Sequence, residues 1–170
     1  MKLPRRRFGR TNIEIPVLSL GGMRFQKTWD QLDFSAISSK EQKKVENILN
    51  LAYKYGLSHI ETAKYYGTSE VQLGMGFKNI NKIPSILQTK IPPNSDPKIF
   101  ERDLMTSFEK LQVKKIDLLA IHGINLPEHL HYAVRDGGCV DILKNLQQEN
   151  LIGNIGFSTH GEASLIEKAI

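Results

Sequence analysis

With 170 residues, 40% of them hydrophobic and 24% charged, the chain has the size and composition of one soluble globular domain. Its net charge of +5 comes wholly from five basic residues within 1–10, too short a segment for the sustained basic face that nucleic-acid binding needs. A single cysteine, Cys139, excludes an internal disulfide, and no apolar run approaches the ~20 residues of a membrane-spanning helix, so we expect a cytoplasmic protein without a membrane partner.

Apolar runs and helical stretches alternate along the chain. Residues 15–22 (IPVLSLGG) predict a first strand that ends at two glycines. Residues 40–56 predict a helix that Gly56 ends as a C-terminal cap. The apolar positions of this helix share one face at helical spacing: Val45, Ile48, Leu49, Ala52 and Tyr53.

The middle of the chain continues the alternation of strand and helix. A second strand is predicted over 57–63 (LSHIETA) and a third over 85–91 (SILQTKI). Between them, residues 69–79 predict a helix that begins at Ser69, although its GMG segment at 74–76 is unfavourable for a helix interior.

The clearest predicted helix covers residues 96–112. Asp96 is suited to cap its N-terminus, and Pro97 is suited to its first turn. Its apolar positions recur at helical spacing and comprise Ile99, Leu104, Phe108 and Leu111.

The remaining residues repeat the strand and helix pattern twice. A fourth strand is predicted within 115–125, a helix over 137–150, a fifth strand within 151–160, and the beginning of another helix over 161–170. The strands are continuous apolar runs rather than alternating ones, which is typical of parallel strands covered on both faces. Alternating βα units of this length fit a (β/α) barrel or a doubly wound sheet. A dinucleotide-binding Rossmann fold lacks its main support, because no GxGxxG sequence follows a strand and opens a helix.

Polar residues follow the ends of four consecutive predicted strands. Glu61 lies at the C-terminal end of the second strand, with Tyr65 and Tyr66 in the loop after it. Lys90 ends the third strand and His122 ends the fourth. The fifth strand is followed by Ser158, Thr159 and His160. In a parallel barrel these ends lie on one rim, where barrel active sites are built.

The residue types on this rim suit the interconversion of carbonyl and alcohol groups. A tyrosine has an ordinary pKa near ~10 and holds its proton at neutral pH. A neighbouring lysine would lower that pKa, a carboxylate would keep the lysine charged, and an imidazole could donate to a carbonyl oxygen. Hydrolysis is less well supported, because no serine or cysteine nucleophile is paired with a base.

Simpler interpretations remain open for each residue alone. Lys90 could be a surface side chain with its charge in water, and His122 could be a hydrogen-bonded structural histidine, as we expect for His59, His129 and His131. Tyr65 and Tyr66 could each be packing residues. Lys90 could instead form a Schiff base in another barrel enzyme, such as an isomerase or aldolase. No metal site is expected, since His129 and His131 lack further ligands.

Five segments, taken together, resemble the aldo/keto reductase family. RRFGRTNIEIPVLSLGGMRF is similar to its N-terminal hairpin and first strand, and HIETAKYYGTSE resembles its DTAxxYG segment. ILQTK, DLLAIH and LIGNIGFSTH match the third, fourth and fifth strands in order and spacing. The family consists of (β/α)8 barrels that use a nicotinamide cofactor, usually NADPH. The closest branch often carries an iron–sulfur domain after the barrel, but this chain has no cysteine cluster to hold one.

The resemblance implies a role for each matching residue. Tyr66 would be the general acid that protonates a small carbonyl substrate, Lys90 would lower its pKa, and His122 would orient the substrate. Glu61 stands where the family has an aspartate, so its carboxylate reaches one methylene farther. The cofactor-binding positions implied by the resemblance are Gly22, Met23, Ser158 and Thr159. The choice between NADP and NAD stays open.

The number of βα units falls short of a closed barrel. About five units follow the hairpin, whereas the family barrel has eight strands. We therefore expect residues 1–170 to form the N-terminal part of an aldo/keto reductase barrel, an incomplete α/β domain of the TIM-barrel type. A complementary chain could supply the missing strands. The alternative function is a truncated or regulatory member that does not catalyse a reaction.

Overall fold

A β-hairpin opens the part of the chain that the structure describes, residues 3–170 of a computed structural model. β1 (Arg5–Arg7) pairs antiparallel with β2 (Glu14–Pro16), as the resemblance implied. The predicted first strand over 15–22 is therefore divided. Its first two residues belong to the hairpin, and only Leu20–Gly21 joins the main sheet, as β3.

The main sheet has five parallel strands in the order of the chain, from β3 to β7. Its further members are β4 (His59–Glu61), β5 (Ile86–Ile91), β6 (Ile116–Ile121) and β7 (Ile152–Phe157). A doubly wound sheet reverses its strand order at a switch point, and this sheet does not. The α/β fold of barrel type is confirmed, with a sheet that does not close on itself within residues 3–170.

Six α-helices connect or follow these strands in the described residues. They are α1 (Ser39–Lys54), α2 (Ser69–Asn79), α3 (Pro97–Leu111), α4 (Pro127–Val134), α5 (Cys139–Gln148) and α6 (Ala163–Ala169). None of the helices within residues 3–170 is both long and apolar enough to cross a membrane. The sequence did not predict α4, which has only eight residues and buries only Ala133 fully.

The two faces of the sheet differ in polarity. Ile60, Leu87 and Leu119 are buried on the face that packs against the helices. Helical residues of the same core include Leu49, Leu73, Phe100, Leu104 and Leu143. Since side chains alternate between faces along a strand, Gln88 and Lys90 lie on the opposite face. The opposite face is therefore mixed, because the buried Leu118 and Ala120 share it with Gln88 and Lys90.

The glycines of α2 allow the neighbouring helices to approach closely, although they weaken the helix by propensity. A Cβ atom at Gly74 would overlap the backbone carbonyl of Lys110 in α3. A Cβ atom at Gly76 would lie 2.6 Å from the Cδ1 methyl of Leu49 in α1. Close packing thus explains the glycines that the sequence alone made unfavourable.

We expect Gly74→Ala to destabilise the fold and Gly76→Ala to change its stability little. Alanine gains about 1 kcal/mol of helix propensity over glycine, but a rigid carbonyl cannot move aside, so we expect a net loss of about 2 kcal/mol for Gly74→Ala. The Leu49 methyl group at Gly76 can rotate away. The free energy of unfolding, measured in urea, tests the contrast, and equal values for both variants would contradict it.

Candidate active site

Parallel strands bring the predicted site residues to one rim of the sheet. Glu61 is the last residue of β4 and Lys90 lies near the end of β5, while His122 directly follows β6. The register pairs Glu61 with Gln88 and Lys90 with Ala120 on adjacent strands. Tyr66 lies in the loop between β4 and α2 and completes the group.

Lys90 is the centre of this group. Its side chain is buried, with only 6% of the residue exposed, and it forms a direct ion pair with Glu61. Its Nζ also donates to the carbonyl oxygen of Thr62 at 3.0 Å. Burial lowers the pKa of Lys90 to about 8, while the adjacent Glu61 carboxylate opposes this shift by stabilising the ammonium. A glutamate in place of the family's aspartate therefore still reaches the lysine.

Tyr66 is half-buried and lies between Lys90 and His122. The Lys90 Nζ is 4.6 Å from the centroid of the Tyr66 ring, over its face. The His122 ring meets the Tyr66 ring edge-on, with 5.8 Å between centroids. Burial raises the pKa of the Tyr66 hydroxyl, so the lowering of this pKa by Lys90 stays a prediction. Tyr65 is 56% exposed and also lies near His122, with 6.1 Å between ring centroids.

His122 is neutral at physiological pH. Burial lowers its pKa to about 4, and the charges of Lys90 and His160 act in the same direction. Its Nδ1 atom is buried and has no hydrogen-bond partner among residues 3–170. A neutral imidazole carries one N–H group, which can donate to an oxygen placed beside it.

A cleft of about 300 Å³ adjoins this group. Its lining residues are Tyr65, Pro92, Pro93, His122, Gly123, Asn125, His129 and His160. The sequence interpretation treated His129 as structural and did not single out Asn125. His129 Nδ1 lies 3.0 Å from the carbonyl oxygen of Gly123, and Asn125 Oδ1 accepts from the His160 backbone N–H at 2.7 Å. Both lie in the segment after β6, which the His122 position alone could have indicated.

Gly22 contacts the backbone at the carboxyl end of β4. The Gly22 N–H donates to the carbonyl oxygen of Glu61 at 2.6 Å, and a Cβ atom here would lie 2.8 Å from Ser69 Oγ. Only glycine fits without displacing these atoms. Met23 begins a short 3-10 turn next to it and is partly buried. Both residues thus lie on the same rim as Glu61.

Ser158 and Thr159 join the loop after β7 to the loop after β6. Ser158 Oγ accepts from the Gly123 N–H at 3.1 Å, and its own O–H has no acceptor among the hydrogen bonds of residues 3–170. Thr159 Oγ1 donates to the carbonyl oxygen of Ile124 at 2.6 Å. A carboxamide oxygen is an acceptor. The Ser158 hydroxyl is therefore better suited to a nicotinamide than the Thr159 hydroxyl, which already donates to Ile124.

The structure also bears on the expectations for His59 and for a metal site. His59 is buried, with Nδ1 2.7 Å from Ser19 Oγ and Nε2 3.1 Å from Gln88 Oε1, which agrees with a structural histidine. Across residues 3–170, no group of three or more histidine, cysteine or acidic side chains is placed to hold a metal ion.

The fold and its rim define an α/β protein of the (β/α)8 barrel type, with its ionisable residues gathered at the carboxyl ends of the strands. The sequence profile described as the Aldo/keto reductase family matches residues 17–169, so the chain belongs to this family. The D-arabinose 1-dehydrogenase of Saccharomyces cerevisiae is 28% identical over 127 residues, which are 67% of this chain and 36% of that protein.

Solved structures extend this similarity. A thermostable aldo-keto reductase in complex with the inhibitor epalrestat is 26% identical, with a TM-score of 0.78 over 99% of this chain and 58% of its own. The holo form of a Bacillus halodurans aldo-keto reductase has a TM-score of 0.75 at 19% identity, over 98% of this chain and 53% of its own. A Klebsiella pneumoniae aldo/keto reductase, in complex with NADP and acetate, has a TM-score of 0.70 at 18% identity, over 97% and 52%. The last two show the fold alone, and the chain spans little more than half of each solved structure.

Proposed function

We propose that the chain carries the proton-donating site of an NAD(P)H-dependent oxidoreductase that interconverts carbonyl and alcohol groups. One observation carries the proposal: the buried Lys90 contacts Glu61 and the Tyr66 ring, and His122 lies against the same ring beside an open cleft. His122 lines that cleft and its ring meets the Tyr66 ring, so a carbonyl oxygen bound beside His122 would also be near the Tyr66 phenol. The substrate we propose is therefore a small carbonyl compound.

In this proposal Tyr66 donates a proton to the carbonyl oxygen. Because burial raises its pKa, the hydroxyl remains protonated at neutral pH and is ready to act as an acid. The Lys90 ammonium over the ring then stabilises the phenolate that remains. Glu61 keeps Lys90 charged and in position through their ion pair.

His122 would hold the substrate rather than transfer the proton. With a pKa of about 4 it is neutral at physiological pH, so it donates through a single N–H group and brings no charge to the cleft. A charged imidazole would compete with Tyr66 as the acid. The low pKa of His122 thus supports Tyr66 as the proton donor and His122 as the residue that orients the substrate.

The cofactor we propose is NADP(H), with NAD(H) as the alternative. Gly22, Met23, Ser158 and Thr159 lie on the rim around the Tyr66 group and would line the nicotinamide. Close backbone approach at Gly22 and the donor of Ser158 suit a planar ring with a carboxamide. When bound, the reduced nicotinamide supplies the hydride to the carbonyl carbon. The Klebsiella pneumoniae relative with NADP supports the first choice.

A second candidate function is a non-catalytic or regulatory member of the family. This function would require only the five parallel strands that residues 3–170 form, without a closed eight-stranded barrel. In this case residues 1–170 act as the N-terminal part of a barrel, and a complementary chain that supplies further strands is the proposed partner.

For the compartment we propose the cytoplasm, since a single buried cysteine suits a reducing environment.

Cofactor binding separates the two functions. We expect NADPH to bind the chain, measured by calorimetry, and to be oxidised when small aldehydes are added. NADH in a parallel titration identifies the preferred nicotinamide. Binding without turnover across a panel of aldehydes and ketones would favour the regulatory member, and a lack of binding would overturn the reductase proposal for this chain.

A further inference from the structure

A chain of buried polar groups lies directly behind Lys90. The Lys90 ammonium donates to the carbonyl oxygen of Thr62 at 3.0 Å. The Thr62 hydroxyl oxygen lies 2.8 Å from the hydroxyl oxygen of Ser69, and Ser69 Oγ donates to the carbonyl oxygen of Gly22 at 2.8 Å. Thr62 and Ser69 are both fully buried, so water does not replace these bonds.

The direction of the hydrogen bonds in this chain is determined by the groups themselves. A carbonyl oxygen can only accept, so the single Ser69 O–H is directed to Gly22. The Thr62 hydroxyl must then donate to Ser69 Oγ. Each hydroxyl thus has one defined role. Removing the Ser69 hydroxyl leaves the buried Thr62 O–H without its acceptor, and removing the Thr62 hydroxyl takes away the donor to Ser69 Oγ.

Ser69 also contacts the segment that carries Tyr66. Its backbone N–H donates to the carbonyl oxygen of Tyr66 at 2.9 Å. Ser69 is the first residue of α2, so it is held by the helix while it binds two loops, the one after β3 and the one between β4 and α2. Through its two polar groups it joins the ends of β3 and β4 and the Tyr66 loop.

The ends of β3 and β4 leave no room for adjustment around Ser69. The Gly22 N–H donates to the Glu61 carbonyl oxygen at 2.6 Å. A Cβ atom at Gly22 would lie 3.0 Å from that oxygen and 2.8 Å from Ser69 Oγ. A shift of Ser69 would therefore displace Glu61 and Thr62, the two residues that contact the Lys90 ammonium.

We propose that Ser69 is a positioning residue, which keeps the Thr62 carbonyl aimed at the Lys90 ammonium and couples the Gly22 loop to the Tyr66 site. Its importance for catalysis rests on the proposed function of Tyr66 and Lys90. Its effect on Lys90 does not, because the hydrogen bonds exist without substrate or turnover.

The titration of Lys90 tests this proposal in the cofactor-free protein. Lysines are labelled with ¹³C at Cε, the Lys90 resonance is assigned from its absence in Lys90→Met, and its titration is followed from neutral to alkaline pH. The unsubstituted protein should show a midpoint near the pKa of about 8. Because an acceptor stabilises the ammonium, Ser69→Ala should lower this midpoint by about half a pH unit or more.

Two further variants keep the test decisive. Thr62→Val has nearly the same shape and removes the donor to Ser69, so it should lower the Lys90 midpoint as well, even if Ser69→Ala does not fold. Ser107→Ala is the matched control. It also removes a fully buried hydroxyl, one that donates to Glu70 at 3.0 Å rather than to the chain behind Lys90.

Shifts in Ser69→Ala and Thr62→Val together with an unchanged Ser107→Ala would support the proposal. Unchanged midpoints in both test variants would overturn it, as would equal shifts in all three variants, which would indicate a general loosening of the fold. The proposed function fails by a different measurement, namely the absence of NADPH binding. An inactive protein would therefore still give a result for Ser69.

Discussion

Tyr66→Phe is expected to lower kcat for NADPH-dependent carbonyl reduction by about 10³-fold, within the range of a lost general acid. The variant keeps the ring that contacts His122 and Lys90 and removes only the hydroxyl. The substrate oxygen would then have no protonated acid beside it. His122 cannot take over the role, because its pKa of about 4 leaves it neutral at physiological pH. Steady-state kinetics with NADPH and a small aldehyde measure the effect.

Tyr65→Phe is the matched control for this prediction. Tyr65 precedes Tyr66, lies near His122 and lines the cleft, but it is 56% exposed and no contact joins it to Lys90 among the described residues. We expect its kcat to remain within a few-fold of the unsubstituted protein, with any change mainly in KM. Both variants should bind NADPH as the unsubstituted protein does. A large loss in Tyr65→Phe with little change in Tyr66→Phe would reverse the assignment of the acid.

The rim of the sheet was predictable because parallel strands have a fixed polarity. Once Glu61, Lys90 and His122 were assigned to strand ends, the fold required them to be neighbours, and the structure agrees. The apolar runs also predicted the positions of the strands. The apolar runs did not reveal that Gln88 and Lys90 lie on the face of the sheet opposite Leu87, because polar and apolar residues do not alternate regularly within ILQTKI.

Contacts between segments that are distant along the chain could not be predicted from the sequence. Ser69 was visible only as the start of a helix, while its bonds to Thr62 and Gly22 depend on how the loop after β3 meets the loop between β4 and α2. From the sequence, Gly74 only weakened the same helix. The reason that a glycine is required there is the carbonyl of Lys110 in another helix, which the sequence does not show. Neither partner is marked by spacing or composition. Residues that position a site through packing are therefore harder to predict than those that carry charge.

Glu61 illustrates the limit of a family pattern. The sequence showed a glutamate where an aspartate is usual, and the longer side chain made its contact with Lys90 uncertain. The structure retains the ion pair. Side-chain length alone was insufficient, because the outcome depends on the backbone of β4, which the Gly22 N–H holds at the Glu61 carbonyl oxygen.

Lys90→Met is expected to lower kcat by about 10²-fold, because the phenolate of Tyr66 loses its neighbouring positive charge. The pH dependence gives a sharper test. With a pKa of about 8, Lys90 loses its charge as the pH rises through that value, so kcat/KM of the unsubstituted protein should fall above it. Tyr66 ionises at higher pH, since its own pKa is raised. Lys90→Met should therefore lack the decline near pH 8.

Variants of Glu61 determine whether this decline belongs to Lys90. Glu61→Gln removes the carboxylate that stabilises the ammonium, so the decline should begin at lower pH. Glu61→Asp keeps the charge and should leave the decline closer to its original position. If Lys90→Met retained the decline at the same pH, or if Glu61→Gln moved it upward, Lys90 would not be the group whose charge supports catalysis. The ion pair would then be a structural contact beside the active tyrosine.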